Sequence, residues 1–227
     1  MATPSHACLL LRMFVLLLPH CLPHLAAGRP ADDDEAQVLL RVKRAWGDPP
    51  VLAAWNATAA AAHCAWPYVE CDGAGRVTNI SISGAAGVAG HFPDDIGNLP
   101  SLTHLVLSNN SMIGAFPTTL YRCRSLRYLN LSLNFLGWEL PADIGRRLGV
   151  NLTALILSGN RFNGTIPTSL SSLRNLRDLF LDSNRLTGVI PPALGELTVE
   201  TSPSALRVRK EYRPSRIRNE GVLEFVS

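Results

Sequence analysis

Charge is scarce in this chain. Only 17% of its residues are Asp, Glu, Lys or Arg, against 47% hydrophobic, a balance that supplies enough apolar material for a folded core and argues against wholesale disorder. What positive surplus exists is in the wrong place for nucleic acid: residues 28–199 carry 14 basic and 14 acidic side chains, and the net charge of +3 comes from six basic against four acidic residues in 200–227 together with Arg12. A nucleic-acid footprint needs a basic face on the folded part, so no nucleic-acid partner is expected. Long apolar runs are also missing. After the amino-terminal segment, nothing approaches the roughly 18 consecutive apolar residues of a spanning helix. Residues 1–27 themselves, with Arg12, the apolar run Met13 to Leu18 and the small residues Ala26, Ala27 and Gly28, read as a secretory signal. Pro19, His20, Pro23 and His24 interrupt that run, which is too short and too broken to cross a bilayer. The mature product is therefore expected to be secreted, with no membrane span in this chain.

Chemistry-bearing constellations are absent too. We find no nucleophile beside a base, no paired carboxylates and no phosphate loop. His104 has no serine or cysteine partner at motif spacing and reads as a solvated surface residue. The glycines of Gly84-Ala85-Ala86-Gly87 lack the strand and helix of a dinucleotide site. No catalytic residue, cofactor or metal is assigned, and the chain is expected not to be an enzyme.

What is present is repetition. Five copies of one pattern begin at Val77, Leu102, Leu126, Leu152 and Leu176, with lengths of 25, 24, 26, 24 and 24 residues, and a fixed period of that size marks a solenoid. The copies from Leu152 and Leu176 fit LxxLxLxxNxLxGxIPxxLxxLxx, a leucine-rich repeat. Apolar residues at positions 1, 4 and 6 point inward from a short strand while their neighbours face outward. One such face cannot be buried alone, so the copies must stack into a parallel sheet over a shared core. The asparagine at position 9 (Asn110, Asn134, Asn160, Asn184) is expected to pair with backbone groups inside the turn, and the later GxIP bends the chain onto the convex side. Two copies depart from the pattern: the first has Ala85 and Gly87 at positions 9 and 11, and the third has Trp138 in place of the glycine. Both are expected to be locally irregular.

The Leu-Ser-x-Asn and GxIP elements resemble the plant-specific class of leucine-rich repeat, found in receptor kinases, receptor-like proteins and cell-wall inhibitor proteins. The fold expected is an α/β leucine-rich repeat solenoid, with a parallel sheet on the concave face. Four segments follow: signal 1–27, cap 28–76, repeats 77–199 and a basic tail 200–227 that is expected to be disordered. In the cap, Asp32-Asp33-Asp34-Glu35 precede Val38, Leu39, Val42, Ala45 and Trp46 at helical spacing, and Gly47-Asp48-Pro49-Pro50 ends that helix. CxWxxVxC, from Cys64 to Cys71, then resembles the amino-terminal cap of plant receptor ectodomains, which covers the open end of the stack. In a secreted protein Cys64 and Cys71 should be oxidised to each other. A metal site on His63, Cys64 and Cys71 is the competing reading, but it lacks a fourth ligand and paired CxxC spacing. Cys123 reads as a buried free thiol.

The segments CAWPYVECD, LYRCRSL and PADIGRRLG resemble the first part of grass receptor-like kinases of the HAESA type, over residues 33–198. That resemblance implies an ectodomain fragment of a peptide-sensing receptor: a truncated or spliced product, or an incomplete gene model. It further implies an apoplastic location, or the plasma membrane for a full-length parent. The expected partner is a protein or peptide ligand, or another leucine-rich repeat ectodomain. Two other readings stand beside it: a secreted inhibitor of microbial wall-degrading enzymes and a short co-receptor-like scaffold.

Recognition is assigned to the concave face, with Tyr128, Ile156, Asp178, Phe180 and Asp182 as candidate ligand contacts. The alternative is that the aromatics Tyr128 and Phe180 merely cover the sheet. Sequons at Asn56, Asn79, Asn109, Asn130, Asn151 and Asn163 are candidate glycosylation sites.

Overall fold

The computed structural model describes residues 34–85 and 87–197. The expected signal segment and basic tail lie outside the described residues.

The cap begins with helix α1 (Glu35–Ala45). Asp34 starts it, its carboxylate accepting from the Ala36 N–H at 3.1 Å, which satisfies one of the donors a helix leaves unpaired at its first turn. Ala36, Val38, Leu39 and Val42 form the buried face. The chain leaves the helix through Gly47 and Asp48, both at positive φ. Trp55 and Trp66 stack with centroids 5.9 Å apart. The Trp55 indole donates to Pro67 O at 2.8 Å, so this large buried ring keeps its one donor satisfied. Cys64 and Cys71 are disulfide-bonded, with Cα atoms 5.5 Å apart. They tie the 3-10 segment Ala57–Ala65 to strand β1 (Val69–Cys71). β1 then pairs antiparallel with β2 (Val77–Ser81), covering the edge that the first coil would otherwise expose.

From β2 onward each coil supplies one strand to a concave sheet: β4 (His104–Val106), β6 (Tyr128–Asn130), β8 (Ala154–Ile156) and β10 (Asp178–Phe180). The strand order is β1-β2-β4-β6-β8-β10, and every pairing after β1 is parallel. The inward residues of these strands, among them Ile80, Leu105, Leu129, Leu155 and Leu179, are fully buried. The back of most coils is a 3-10 turn, as at Asp94–Asn98, Thr118–Arg122, Thr168–Ser172 and Pro192–Leu197.

A second sheet was not anticipated. β3 (Ala89–His91), β5 (Ser111–Gly114), β7 (Phe135–Glu139) and β9 (Arg161–Asn163) follow the asparagine turns and pair in the order β3-β5-β7-β9. The alternation was written in the copies, with Met112, Leu136 and Phe162 inside and Ser111, Phe135, Arg161 and Asn163 outside. Three to five residues per copy are too few to announce a strand without neighbours to bond.

The asparagines pair inside their own turns, as expected, and do more. Each amide reaches back to the preceding coil as well as its own turn: Asn134 Nδ2 donates to Leu107 O at 2.8 Å and to Leu131 O at 3.1 Å. Asn160 repeats this with Leu131 O and Leu157 O, and Asn184 with Leu157 O and Leu181 O. The Oδ1 atoms also accept from the preceding coil, from the N–H groups of Met112, Leu136 and Phe162 at 3.0–3.1 Å. The ladder therefore bonds coil to coil.

The third coil is irregular, as its sequence implied. Trp138 takes the positive φ (+67°) of the missing glycine, and its ring is 70% exposed. The 26-residue copy absorbs its added length in a true α-helical turn, α2 (Ile144–Leu148), closed by Gly149 at φ +83°. Gly145 in this turn is a tight contact: a Cβ built on it would lie 1.9 Å from Ser169 O of the next coil.

Candidate recognition surface

Parallel pairing places equivalent residues of successive coils side by side on the concave face. One row runs Asn79, His104, Tyr128, Ala154, Asp178, and the next runs Ser81, Val106, Asn130, Ile156, Phe180. His104 is exposed, as expected, and stacks on Tyr128 with centroids 5.9 Å apart. Thr103 Oγ1 lies 2.9 Å from the His104 Nδ1, fixing the ring from the other side. Strand alternation also put Ala154 on the outer face, but it is only 2% exposed. Its methyl group lies between Tyr128 and Asp178 on the flanking strands, too short to rise past them.

The candidate contacts Tyr128, Ile156, Asp178, Phe180 and Asp182 come together on this face, all half-buried. Tyr128 and Asp178 flank Ala154 in one row, and Ile156 and Phe180 are neighbours in the next. Asp182 differs from the others because its carboxylate is already engaged. It accepts from Ser158 Oγ at 2.6 Å and Ser183 Oγ at 3.3 Å. Asn130 is similarly committed, its Oδ1 accepting from the Ser132 N–H and Oγ. Among the described residues the Asp178 carboxylate and the Tyr128 hydroxyl make no hydrogen bond, and Ile156, Phe180 and the Tyr128 ring supply contact area.

The sequons fall on different surfaces. Asn79 and Asn130 are half-buried within concave strands, and Asn79 Nδ2 donates to Glu70 Oε2 at 3.0 Å. Asn109 is exposed in the bend after its strand, at φ +53°. Asn56 is exposed in the cap, Asn163 on the second sheet, and Asn151 on the edge where the convex side returns to the concave strands.

Among the described residues no cysteine offers a reactive thiolate. The sulfurs of Cys64 and Cys71, which lie with His63 in one cluster, are bonded to each other. Cys123 is buried against Ile96 O, and burial pushes its thiol up to about 12.

Two surface groups escaped the reading of the sequence. Ile113, Phe135 and Trp138 are exposed apolar residues on the second sheet, where Arg161 covers the Phe135 ring at 4.5 Å. A polar notch of about 340 Å³ opens on the return edge, lined by Arg127, Asn151, Thr153, Arg174, Asn175 and Arg177. The visible signal was an Arg-x-x-Arg spacing, at Arg124/Arg127 and again at Arg174/Arg177.

Comparison with known proteins fits this geometry. The leucine rich repeat N-terminal domain family matches residues 32–72, and the leucine rich repeat family matches 101–123, 125–146, 151–173 and 175–197. The first coil has no match of its own in those ranges. The BIR2 ectodomain of Arabidopsis thaliana superposes with a TM-score of 0.65 at 32% identity, covering 71% of this chain and 85% of that one. The chain belongs to the plant leucine-rich repeat family. This leucine-rich repeat protein is also similar to polygalacturonase inhibitor 1 of Oryza sativa subsp. japonica, 36% identical over 129 residues, which are 56% of this chain and 38% of the relative. To the receptor-like serine/threonine-protein kinase GSO2 of Arabidopsis thaliana it is 38% identical over 126 residues, 53% of this chain and 10% of the relative. The chain thus spans little more than a third of the one and a tenth of the other. Among the described residues no helix is long and apolar enough to cross a membrane. Ectodomain relatives and a cap held by a disulfide make this an extracellular module.

Proposed function

We propose that this leucine-rich repeat protein is a non-catalytic recognition module that binds a protein or peptide on its concave face, in the manner of a receptor-kinase ectodomain of the HAESA type. One observation carries the reading. The strand register gathers Tyr128, Ile156, Asp178 and Phe180 into one half-buried patch, with an unengaged carboxylate beside aromatic and aliphatic surface. Such a patch suits a partly apolar ligand with a basic or hydrogen-bonding group, since half-buried aromatics at the centre of a surface contribute most to binding. The candidate residues are Tyr128, Ile156, Asp178 and Phe180, with Asp182 orienting Ser158 and Ser183.

Inhibition of a polygalacturonase is the second reading, supported by a 36% identity to the rice inhibitor over a similar length. A single panel separates the two. The secreted, glycosylated chain is immobilised and probed with fungal polygalacturonases, plant receptor ectodomains and small secreted peptides. Phe180→Ala and Tyr128→Ala should each weaken capture of the true partner about tenfold, as expected of central aromatic contacts. Enzyme capture with loss of pectin hydrolysis would replace the receptor reading. Undiminished capture by both variants would remove the concave patch from the function.

A further inference from the structure

The geometry points to a second binding site, for an acidic peptide segment, in the arginine-lined notch on the return edge. The notch exists because the fourth coil is small where its neighbours are large. At position 2 the third and fifth coils carry Arg127 and Arg177, while the fourth carries Thr153. Arg174 joins from the end of the fourth coil, so guanidinium groups flank a neutral polar floor.

Three features make this a site for an anion. First, all three arginines are exposed, and among the described residues none pairs with a carboxylate. The nearness of like charges is left uncompensated, and an anion between them relieves that repulsion. Second, the floor does not compete for them. Asn151 Nδ2 donates to Arg124 O at 3.0 Å, Asn175 Nδ2 to Val150 O at 2.8 Å and Thr153 Oγ1 to Arg127 O at 2.9 Å. Each of these side chains bonds one coil to the one before it, leaving the guanidinium forks free to grip carboxylates. Third, the scale fits. Arg127 and Arg177 stand two coils apart, about 10 Å at the spacing of neighbouring strands. That is the reach of about three residues of extended peptide.

Asn151 sharpens the assignment. It is a sequon, and a glycan there would fill the notch. Its amide makes the same bond to the preceding coil as Asn175, which is not a sequon, so the residue serves coil stacking, and the site requires that it carry no sugar.

This site rests on the reading of the chain as a recognition module, yet its test is independent of the concave face. Titration calorimetry of the secreted full chain with an end-blocked tetraglutamate peptide at low salt should show binding. Arg127→Ala/Arg177→Ala should weaken it at least tenfold with thermal stability unchanged, and raising salt to about 0.15 M should weaken it in the wild type. Tyr128→Ala should leave it intact, so failure of the concave reading would not be mistaken for failure of this one. The proposal is overturned by absence of binding, by binding that survives the double arginine variant, or by a glycan mapped to Asn151. Binding of tetragalacturonate in place of tetraglutamate would likewise overturn it, reassigning the notch to an acidic sugar.

Discussion

At the residue scale, the asparagine ladder shows how one side chain can hold two coils. Asn160 satisfies Leu131 O, Leu157 O and the Leu136 N–H from a position only 7% exposed. Truncating it takes the asparagine partner from the buried Leu136 N–H and removes one of two amide donors from each carbonyl, since Leu131 O keeps Asn134 and Leu157 O keeps Asn184. Asn160→Ala should therefore lower unfolding free energy by about 2 kcal/mol in urea titrations, since one unsatisfied buried group costs about 1–3 kcal/mol and each carbonyl keeps a second donor. Asn151→Ala, on the exposed edge, should cost well under half as much. Cys123 is the other residue with a sharp expectation. With its thiol pushed up to about 12 by burial, almost no thiolate exists at neutral pH. Iodoacetamide at pH 8 should leave Cys123 unmodified in the native chain and alkylate it in denaturant. Rapid native labelling would contradict its placement in the core.

Elements reveal where the repeat tolerates change and where it does not. α2 packs so closely on the next coil that Gly145→Ala would set a methyl carbon against Ser169 O, a backbone atom that cannot swing aside. A loss of about 3 kcal/mol is expected, at the upper end of overpacking effects. Trp138 lies at the opposite extreme. A bulky residue at positive φ is strained, and its exposed ring recovers little by packing. Trp138→Gly should be neutral or stabilising by about 1 kcal/mol in thermal unfolding, and it should abolish acrylamide quenching, because Trp46, Trp55 and Trp66 are buried. The β1–β2 turn is pH-sensitive through Asp72. Hydrogen bonds from the Arg76 side chain, then from the Arg76 and Ala74 N–H groups, hold its carboxyl below the ordinary 3.8. A depressed carboxyl stabilises the fold above its unfolded value and loses that contribution as pH falls through the folded one. Amide exchange at Ala74 and Arg76 should accordingly accelerate only below about pH 3.8.

For the whole molecule, the number of coils limits what can be recognised. Five strands advance about 4.8 Å each, so the concave face offers roughly 20 Å along the solenoid axis. An extended peptide of about twelve residues spans roughly 40 Å, twice that length. This chain by itself should bind such a peptide no more tightly than about 1 μM, measurable by calorimetry with the glycosylated protein. Submicromolar binding would mean that the patch around Asp178 and Phe180 suffices. The arginine notch lies off the concave face, so a partner that engages both surfaces would gain by linking two modest contacts.

The apolar residues at positions 1, 4 and 6 of each copy, leucine in four of the five, determined a stacked parallel sheet, because no other arrangement buries so regular an apolar face. The CxWxxVxC segment, read through its resemblance to known caps, likewise determined the Cys64–Cys71 pairing. Tertiary structure alone decided the rest, wherever the partner comes from another coil. The ladder bonds of Asn134 and Asn160 end on carbonyls of the preceding coil, well outside the asparagine's own turn. Ala154 is covered by side chains 24 residues away on one side and 26 on the other. The second sheet exists only when segments of three to five residues find each other in register. The notch depends on Thr153 being shorter than Arg127 and Arg177, a contrast that becomes a cavity once stacking sets the three side by side. Period and polarity are properties of the chain read along its length, whereas these contacts depend on neighbours that only the winding of the solenoid brings together.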